Sequence, residues 1–321
     1  MRSVTRCLLS LGLSLLAAAV AAQSFPAKAI RIVVPFGAGG VADLTARAVG
    51  ERLSQSLGQP VLVDNRPGAG GVAAADAVAR ADPDGHTLLL ISTGTAVSAA
   101  LFKALPFDTL RDFAPISTLA TFDIGIIVSA DARWRSLPEL LTYARTNPGK
   151  LNLGSINIGS TQNLTAELFK HVSALDFQIV PFNGTPAVLT ALRGGQIDAA
   201  VEILGPVMGQ INGRAVRVLA VTGAKRSVLL PDVPTAQEAG VAGLVAASWN
   251  GLAAPARTPP AVIARVNREL VALLAAPDIR KKLHELNVEA VSSTPQQAAE
   301  LLASDVRRWG EVITRAKIPL Q

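Results

Sequence analysis

Ile32-Val33-Val34-Pro35-Phe36-Gly37 decides the fold prediction, because a similar stretch, Gln178-Ile179-Val180-Pro181-Phe182-Asn183-Gly184, occurs in the second half of the chain. In each copy an apolar strand ends in Pro-Phe, and a turn of small residues leads into a predicted helix. The first residues of a helix carry backbone N–H groups without partners in the helix, so each copy directs donors beyond its strand. Two such units that face each other predict an anion-binding cleft.

Strand-like and helix-like segments alternate along the whole chain. A first series runs from the apolar residues 30–35 to the strand at 87–92, and a second begins near Ile124. This alternation predicts an α/β fold in which mostly parallel sheets are flanked by helices. Residues 114–129 and 246–254 look like crossings between lobes. They divide the chain into lobe 1 (residues 24–123 plus 247–321) and lobe 2 (residues 124–246), with a hinge that closes a cleft on its ligand.

The first residues predict export. Arg2 and Arg6 precede an apolar run at residues 8–20, and small residues follow at a suitable cleavage position. We interpret residues 1–22 as a cleavable signal peptide, with an uncleaved anchor as the alternative. The single cysteine, Cys7, lies inside this segment, so the mature chain has no thiol for a disulfide or a metal site.

Composition indicates a globular protein with an aliphatic core. Half of the residues are hydrophobic, but only 4% are aromatic. The net charge of +6 is spread along the chain, and its densest groups, at 280–282 and 307–308, belong to predicted solvated helix faces. Export and the lack of aromatics among the basic residues argue against nucleic-acid binding. We expect neither a metal ion nor a cofactor.

Turns at the ends of predicted strands carry the candidate chemistry. Besides the two Pro-Phe turns, small and hydroxyl residues follow strands at 92–95 and 159–161. Ligands of open α/β sheets bind at the carboxyl ends of the strands. Asp198 and Glu202 share one face of a later strand, and at least one of them is expected at the cleft. The predicted ligand-binding residues are Phe36, Ala38, Gly39, Gly40, Asp43, Thr93, Ser155, Gly159, Ser160, Thr161, Asn183, Gly184, Thr185 and Asp198.

Two enzyme classes remain as alternatives. Residues 37–43 formally fit a dinucleotide-binding pattern with Asp64 at the end of the next strand, but Pro35-Phe36 interrupts the usual tight transition. An exported serine hydrolase requires His86, His171 or His284 near a serine in a glycine-rich turn. No sequence motif points to such a set.

Motifs along the whole mature chain resemble the Bug family, the periplasmic solute-binding components of tripartite tricarboxylate transporters. The matching stretches are Val34-Pro35-Phe36 with Gly39-Gly40 and Asp43, Gly58-Gln59-Pro60, Asn65-Arg66-Pro67-Gly68-Ala69-Gly70-Gly71, Asp84-Gly85, Asp112-Phe113-Ala114-Pro115, Asn147-Pro148-Gly149-Lys150, Gly159-Ser160, Ala224-Lys225-Arg226-Ser227, Leu230-Pro231-Asp232-Val233-Pro234-Thr235, Glu238-Ala239-Gly240 and Ser248-Trp249.

This resemblance implies a two-lobed, type II periplasmic-binding-protein fold in a monomer of the Gram-negative periplasm. It implies a small carboxylate ligand held by loop backbone, hydroxyls and ordered water at residues 35–43 and 159–161, and delivery to a membrane permease or a sensor protein. The turn at 183–185 and Asp198 are expected additions to this site. Residues 181–184, Asn163, Glu202 and Asn250 depart from the usual family sequence, so the identity of the ligand, and whether Glu202 or Asn250 contacts it, stay open.

Overall fold

A computed structural model describes residues 25–286, 288–315 and 317–321, so the predicted signal peptide lies outside the described residues. The strands are β1 (Ile30–Val34), β2 (Val61–Asn65), β3 (Thr87–Ser92), β4 (Phe113–Phe122), β5 (Ile124–Ser129), β6 (Asn152–Ile156), β7 (Gln178–Phe182), β8 (Ala199–Ile203), β9 (Val216–Val221), β10 (Ser248–Pro255) and β11 (Val288–Ala290). The helices are α1 (Val41–Leu57), α2 (Val72–Ala79), α3 (Thr93–Leu101), α4 (Leu137–Thr146), α5 (Thr161–Ser173), α6 (Thr185–Arg193), α7 (Leu204–Asn212), α8 (Pro260–Ala275), α9 (Pro277–His284) and α10 (Pro295–Arg315).

The strands form two separate sheets. The first has the order β11-β4-β10-β3-β1-β2, and the second has the order β7-β6-β8-β5-β9. Strands β1, β2 and β3 are parallel, as are β6, β7 and β8, whereas β10 and β5 run antiparallel to both of their neighbours. The predicted α/β architecture is therefore confirmed. The sheets are mixed rather than mostly parallel, because β10 and β11 in the first sheet and β5 in the second run opposite to the other strands.

We use lobe 1 for the first sheet with α1–α3 and α8–α10, and lobe 2 for the second sheet with α4–α7. The chain leaves lobe 1 where β4 ends at Phe122 and enters lobe 2 where β5 begins at Ile124. It returns between β9 and β10. There the hydroxyl of Thr222 donates to the carbonyl oxygen of Ala246 at 2.8 Å, which ties the two ends of the returning segment together.

Local sequence explains where the helices that approach the cleft begin and end. Helix α1 ends at Gly58, whose φ of 71° places it in the left-handed region that stops a helix. Helix α3 begins with a capping box between Ser92 and Thr95. The core is aliphatic, as the composition predicts, with Trp309 and Phe169 among the few large aromatic side chains that are fully buried. Within the described residues, no helix has the length and apolar character needed to cross a membrane.

Candidate functional site

The starts of four helices meet around one cavity between the lobes. Helices α1 and α3 come from lobe 1 and α5 and α6 from lobe 2, and each follows a strand of its own sheet. The cavity has a volume of about 20 Å³, which is room for about one water molecule. It is lined by Phe36, Gly37, Gly40, Val41, Ala42, Ser92, Phe122, Ile156, Thr161, Gln162, Gly184, Thr185, Ile203, Ser248 and Asn250.

The buried carboxylate of Asp43 shapes the loop before α1. Its Oδ2 accepts from the backbone N–H of Gly39 at 2.9 Å, and its Oδ1 lies 2.9 Å from the guanidinium of Arg47. The side-chain amide of Asn65 donates to the carbonyl oxygen of Phe36 at 3.1 Å. Burial alone would raise the pKa of Asp43, but hydrogen bonds from Arg47, Gly39 and Asn65 outweigh it, so the pKa lies below its ordinary value. Asp43 is therefore ionised at neutral pH and holds the loop in shape.

The loop before α6 meets the loop before α1, backbone against backbone. A Cβ atom on Gly37 would lie 2.5 Å from the carbonyl oxygen of Asn183. A Cβ atom on Gly184 would lie 3.6 Å from the Cα atom of Gly37. The two copies of the Pro-Phe motif thus face each other across the boundary between the lobes. Only glycine at position 37 permits this approach, since real Cβ atoms do not come so close to a carbonyl oxygen.

Serine side chains cap two of the four helices. The hydroxyl of Ser160, before α5, accepts from the backbone N–H of Asn163 at 3.1 Å. The hydroxyl of Ser92, before α3, accepts from Gly94 N–H at 3.1 Å, and Ser92 N–H donates to the hydroxyl of Thr95 at 3.0 Å. These bonds satisfy part of the first turn and fix the direction of each helix start. The turn at residues 92–95 is therefore a helix cap at the end of β3.

The helix starts direct positive partial charges at the cavity, and no cationic side chain contributes among the described residues that line it. The partial charges at a helix N-terminus amount to roughly half a positive charge. Among the described residues that line the cavity, none is Lys, Arg or His. A carboxylate suits such a site because it accepts hydrogen bonds only and interacts favourably with the positive ends of the helices.

A second acid, Glu202 of β8, lies fully buried behind the lobe 2 side of the cavity. Its Oε2 accepts from the hydroxyl of Thr185 at 3.0 Å and lies 3.5 Å from the side-chain amide nitrogen of Gln162. Its Oε1 has no hydrogen-bond partner within the described part of the chain. Burial raises the pKa of Glu202 to about 7, although hydrogen bonds from Thr185, Gln162 and the backbone of Ile203 act in the opposite direction.

An amide donor from β10 completes the polar lining. The side chain of Asn250 is 1% exposed, and its Nδ2 has no hydrogen-bond partner among the described residues. Nearby, the hydroxyl of Ser248 donates to the hydroxyl of Thr161 at 3.2 Å and connects β10 to the start of α5. A buried donor that lacks a partner costs about 1–3 kcal/mol, so an acceptor on a ligand at Asn250 would be stabilising.

A glycine-rich seam joins the lobes beside this cavity. The hydroxyl oxygen of Ser98 lies 2.8 Å from the carbonyl oxygen of Gly70 and 3.3 Å from that of Gly159. The side-chain amide of Asn157 donates to the carbonyl oxygen of Gly68 at 3.2 Å. A Cβ atom on Gly159 would lie 2.8 Å from the Cα atom of Gly70, so the backbones are in close contact. The lobes are closed upon each other at this seam.

The structure brings most of the sequence-predicted residues to the boundary between the lobes. Gly159 and Ser160 line the seam. Gly39 and Asp43 bond to each other in the loop before α1. The predicted residues that line the cavity itself are Phe36, Gly40, Thr161, Gly184 and Thr185.

Other predicted residues lie near the site without lining the cavity. Thr93 and Ser155 are buried, and the hydroxyl of Ser155 accepts from the side-chain amide of Asn163 at 3.3 Å. Ala38 and Asn183 are exposed at the tips of their loops. Asn183 contributes its carbonyl group to the contact with lobe 1, so its backbone matters more there than its amide.

Asp198 does not lie where the sequence analysis expected it. Parallel strands β6 and β8 end at Ile156 and Ile203, which line the cavity, whereas Asp198 precedes β8 at the opposite end. Its Oδ2 accepts from the backbone N–H of Asn152, the first residue of β6, at 2.8 Å. Glu202 lies four positions after Asp198 along the strand, a distance of about 13 Å. The shared strand face was predicted, but only Glu202 reaches the site.

Several lining residues were missed by the sequence analysis. Gln162 follows Thr161 in the first turn of α5, and its position in a capped helix start was an available signal. Ser92, in the predicted turn at 92–95, caps α3 and lines the cavity as well. Ser248 and Asn250 come from β10, far away in sequence, and no local pattern links them to the Pro-Phe turns.

Comparisons with known proteins show which family the chain belongs to. Residues 45–318 match the family described as tripartite tricarboxylate transporter family receptor, TctC. The chain is similar to the solved periplasmic binding protein BugD, with 30% identity and a TM-score of 0.89 over 92% of this chain and 100% of BugD. It is similar to R. palustris Rpa4515 with adipate, with 32% identity and a TM-score of 0.88 over 92% of this chain and 99% of that one. It is also similar to MatC from Rhodopseudomonas palustris with bound malate, with 32% identity and a TM-score of 0.84 over 90% of this chain and 100% of that one.

The family match spans most of the chain, and the similar structures cover nearly all of it. Bug-family membership, which the motifs predicted, is thereby confirmed. The chain belongs to the TctC family of periplasmic solute-binding receptors of tripartite tricarboxylate transporters.

Proposed function

We propose that the protein captures a small organic carboxylate in the periplasm by closure of its two lobes. It then delivers this ligand to the membrane permease of a tripartite transporter, or to a sensor protein. The observation that carries the proposal is the convergence of four helix starts, two from each lobe, on one cavity without cationic side chains. The similar structures that hold adipate and malate favour a dicarboxylate.

The strength of such binding follows from the donors available. A hydrogen bond from an amide or hydroxyl to a charged acceptor contributes about 1.5–3 kcal/mol. About four or five such bonds, less the cost of ordering ligand and lobes, correspond to a micromolar or lower dissociation constant. The backbone N–H groups before α1 and α6, the hydroxyls of Thr161 and Thr185 and the amide of Asn250 are the donors that we assign to this role.

Ligand exchange requires the lobes to separate. A cavity of about 20 Å³ cannot admit a dicarboxylate while the loops of Gly37 and Asn183 are in contact. We infer that residues 24–123 with 247–321 move as one unit and residues 124–246 as the other. The hinge lies where the chain crosses, near Asp123 and in the segment before Ser248.

Calorimetry with adipate, malate and glucose near pH 6 tests the proposal. We expect at least one of the two dicarboxylates to bind and to raise the melting temperature, with no response to the neutral sugar. Thr185→Val removes a hydroxyl at the cavity and should weaken binding about tenfold. Thr190→Val, on the exposed side of the same helix, is the matched control and should bind like the wild type. Failure of both dicarboxylates to bind, with or without binding of glucose, would refute the proposal.

The serine hydrolase alternative finds no support in the contacts at the turns. In the described hydrogen bonds, the hydroxyls of Ser92, Ser155 and Ser160 pair with backbone groups or with Asn163. His86 accepts from a backbone N–H at 3.2 Å near the start of the described chain. The other two histidines lie in the last turns of α5 and α9.

The dinucleotide alternative is disfavoured by Asp64. Its carboxylate lies 2.9 Å from the guanidinium of Arg66, on the edge strand β2, and is occupied by that ion pair. The family and the similar structures are binding proteins. We therefore propose a receptor without catalytic activity.

A further inference from the structure

Glu202 has an unusual position for an acid in an anion receptor. It is 0% exposed, and the two side chains that bond to its Oε2, Thr185 and Gln162, both line the cavity. Its other oxygen, Oε1, has no partner among the described residues. The acid therefore sits directly behind the polar lining that an incoming carboxylate would contact.

Among the residues that the structure describes, no cation compensates this carboxyl group. The elements packed against β8 are β5, β6, α5, α6 and α7. Their titratable and charged side chains are Glu167, Lys170 and His171 of α5 and Arg193 of α6. Lys170 donates to the carbonyl oxygen of Phe177 at 2.7 Å, and Glu167 lines a separate cavity near the C-terminus. His171 and Arg193 are exposed, and all four lie beyond the first turns that approach Glu202. Asp198, just before β8, lies at the far end of the strand.

The protonation state of Glu202 decides what Thr185 can offer a ligand. An ionised carboxylate only accepts hydrogen bonds, so it uses the hydroxyl proton of Thr185. A protonated Glu202 can donate its own proton to the oxygen of Thr185, which leaves the threonine proton free for a ligand in the cavity. Protonation also removes a buried negative charge that would repel an anionic ligand at short range.

We propose that Glu202 couples the capture of an organic anion to the uptake of one proton, which makes the receptor bind its ligand more tightly in mildly acidic than in alkaline solution. This inference rests on the proposed function, because it concerns the same cavity. Glu202 does not need to touch the ligand; it acts as a positioning residue through Thr185 and Gln162.

The direction of the effect follows from linkage. Burial raises the pKa of Glu202 to about 7 in the absence of a ligand. A bound carboxylate disfavours the ionised form further, so the pKa rises again in the complex. The affinity for the ligand is therefore highest when the pH is below the pKa of Glu202 in the ligand-free protein. It falls about tenfold per pH unit above it, until the pH passes the pKa of the complex.

Calorimetric titration with adipate, and with malate in parallel, from about pH 6 to about pH 9 tests the inference. Both probes are mostly dianions at pH 6 and fully ionised above about pH 7, so a fall in affinity towards pH 9 reports on the protein. We expect the affinity to drop about tenfold over the range and about half a proton to be taken up per ligand near pH 7.5. Proton uptake is measured by repeating the titration in two buffers of different ionisation enthalpy.

Two variants test whether Glu202, rather than another acidic side chain, causes the pH dependence of binding. Glu202→Gln should bind both probes with less than about a twofold change over the same range and without proton uptake. Glu167→Gln is the matched control, because burial also raises the pKa of Glu167 but this side chain lies outside the site. It should retain the pH dependence of the wild type.

The outcomes distinguish the proton coupling from the receptor function on which it rests. Binding of adipate or malate with pH-independent affinity and no proton uptake in the wild type would overturn the coupling while the receptor function stands. An unchanged pH dependence in Glu202→Gln would overturn it as well. Failure of the wild type to bind either probe at any pH would overturn the proposed function, and the coupling with it. If Glu202→Gln does not fold, proton uptake by the wild type decides alone.

Discussion

The starts of α1 and α6 share the same strand–turn–helix arrangement, but they differ in whether the acidic side chain beside them is paired with a cation. Each follows a strand with Pro-Phe at or directly after its end, and both direct helix N–H groups at the same cavity. Beside α1, Asp43 is compensated by Arg47 and its pKa is lowered. Beside α6, Glu202 has no cationic partner within the described ranges, and burial raises its pKa to about 7. Similar turns thus give one side of the site a fixed charge and the other side a charge that titrates.

The largest expected effect is on the pH dependence of stability. The pKa of Glu202 rises from an ordinary value of 4.5 to about 7 on folding. A carboxyl group whose pKa is higher in the folded than in the unfolded protein stabilises the fold when the pH is below its unfolded-state pKa. This stabilisation is lost as the pH rises through the folded-state pKa. That loss amounts to about 3 kcal/mol between these values. Denaturant unfolding at pH 5 and pH 8 should therefore show a smaller difference in Glu202→Gln than in the wild type. Equal differences would mean that Glu202 does not titrate in the folded protein.

The contact between the two loops offers the next largest effect. Gly37→Ala places a methyl group against the carbonyl oxygen of Asn183, which opposes closure at a cost of about 1–3 kcal/mol. Adipate or malate should bind about 10–100-fold more weakly by calorimetry. Gly209→Ala in α7 is the control, because no atom lies within 4 Å of the added Cβ. Equal affinity of both variants would show that this contact is not part of the ligand-bound state.

The fixed charge on the α1 side can be tested separately. Asp43→Asn should destabilise the protein by about 1 kcal/mol at pH 7, because the charged partner of Gly39 N–H and Arg47 is lost. A carboxyl group whose pKa is lower in the folded than in the unfolded protein stabilises the fold when the pH is above its unfolded-state pKa, and this stabilisation is lost as the pH falls through the folded-state pKa. The destabilisation caused by Asp43→Asn should therefore shrink near pH 3. Asp76→Asn, in an exposed ion pair with Arg80 at the same spacing, should change the unfolding free energy less.

The smallest effect is expected from Arg47 itself. Its side chain is 53% exposed, so solvent screens the ion pair to about 0.2–1 kcal/mol, and the backbone N–H of Gly39 still hydrogen-bonds to the buried Asp43 carboxylate when Arg47 is removed. Arg47→Met should therefore lower the unfolding free energy only slightly in a denaturant titration, while carboxylate affinity stays within about twofold. A large loss of affinity would show that Arg47 attracts the ligand and that the site is not built from uncharged donors alone.

Most of the secondary structure and the four helix starts at the site could be predicted from the sequence. Pro-Phe followed by glycine, and serine before a helical pattern, are local signals that specify turns and caps. The mixed direction of the strands could not be predicted in this way, because β5 and β10 pair with strands distant in sequence. The prediction that Asp198 lies at the site was wrong for a related reason. Alternation along a strand identifies a shared face but does not say which end of the strand meets the site.

By itself, the sequence determined the alternating α/β elements, the family and the turns that direct backbone donors beyond the strands, since these depend on neighbouring residues. Only the tertiary structure decided that Asn250 and Ser248 join those turns, that Gly37 meets Asn183, and that Glu202 is buried with no cation beside it in the described part of the chain. The physical reason is that burial and charge compensation depend on every element packed around a group. In this protein those elements come from both sheets and from distant parts of the chain.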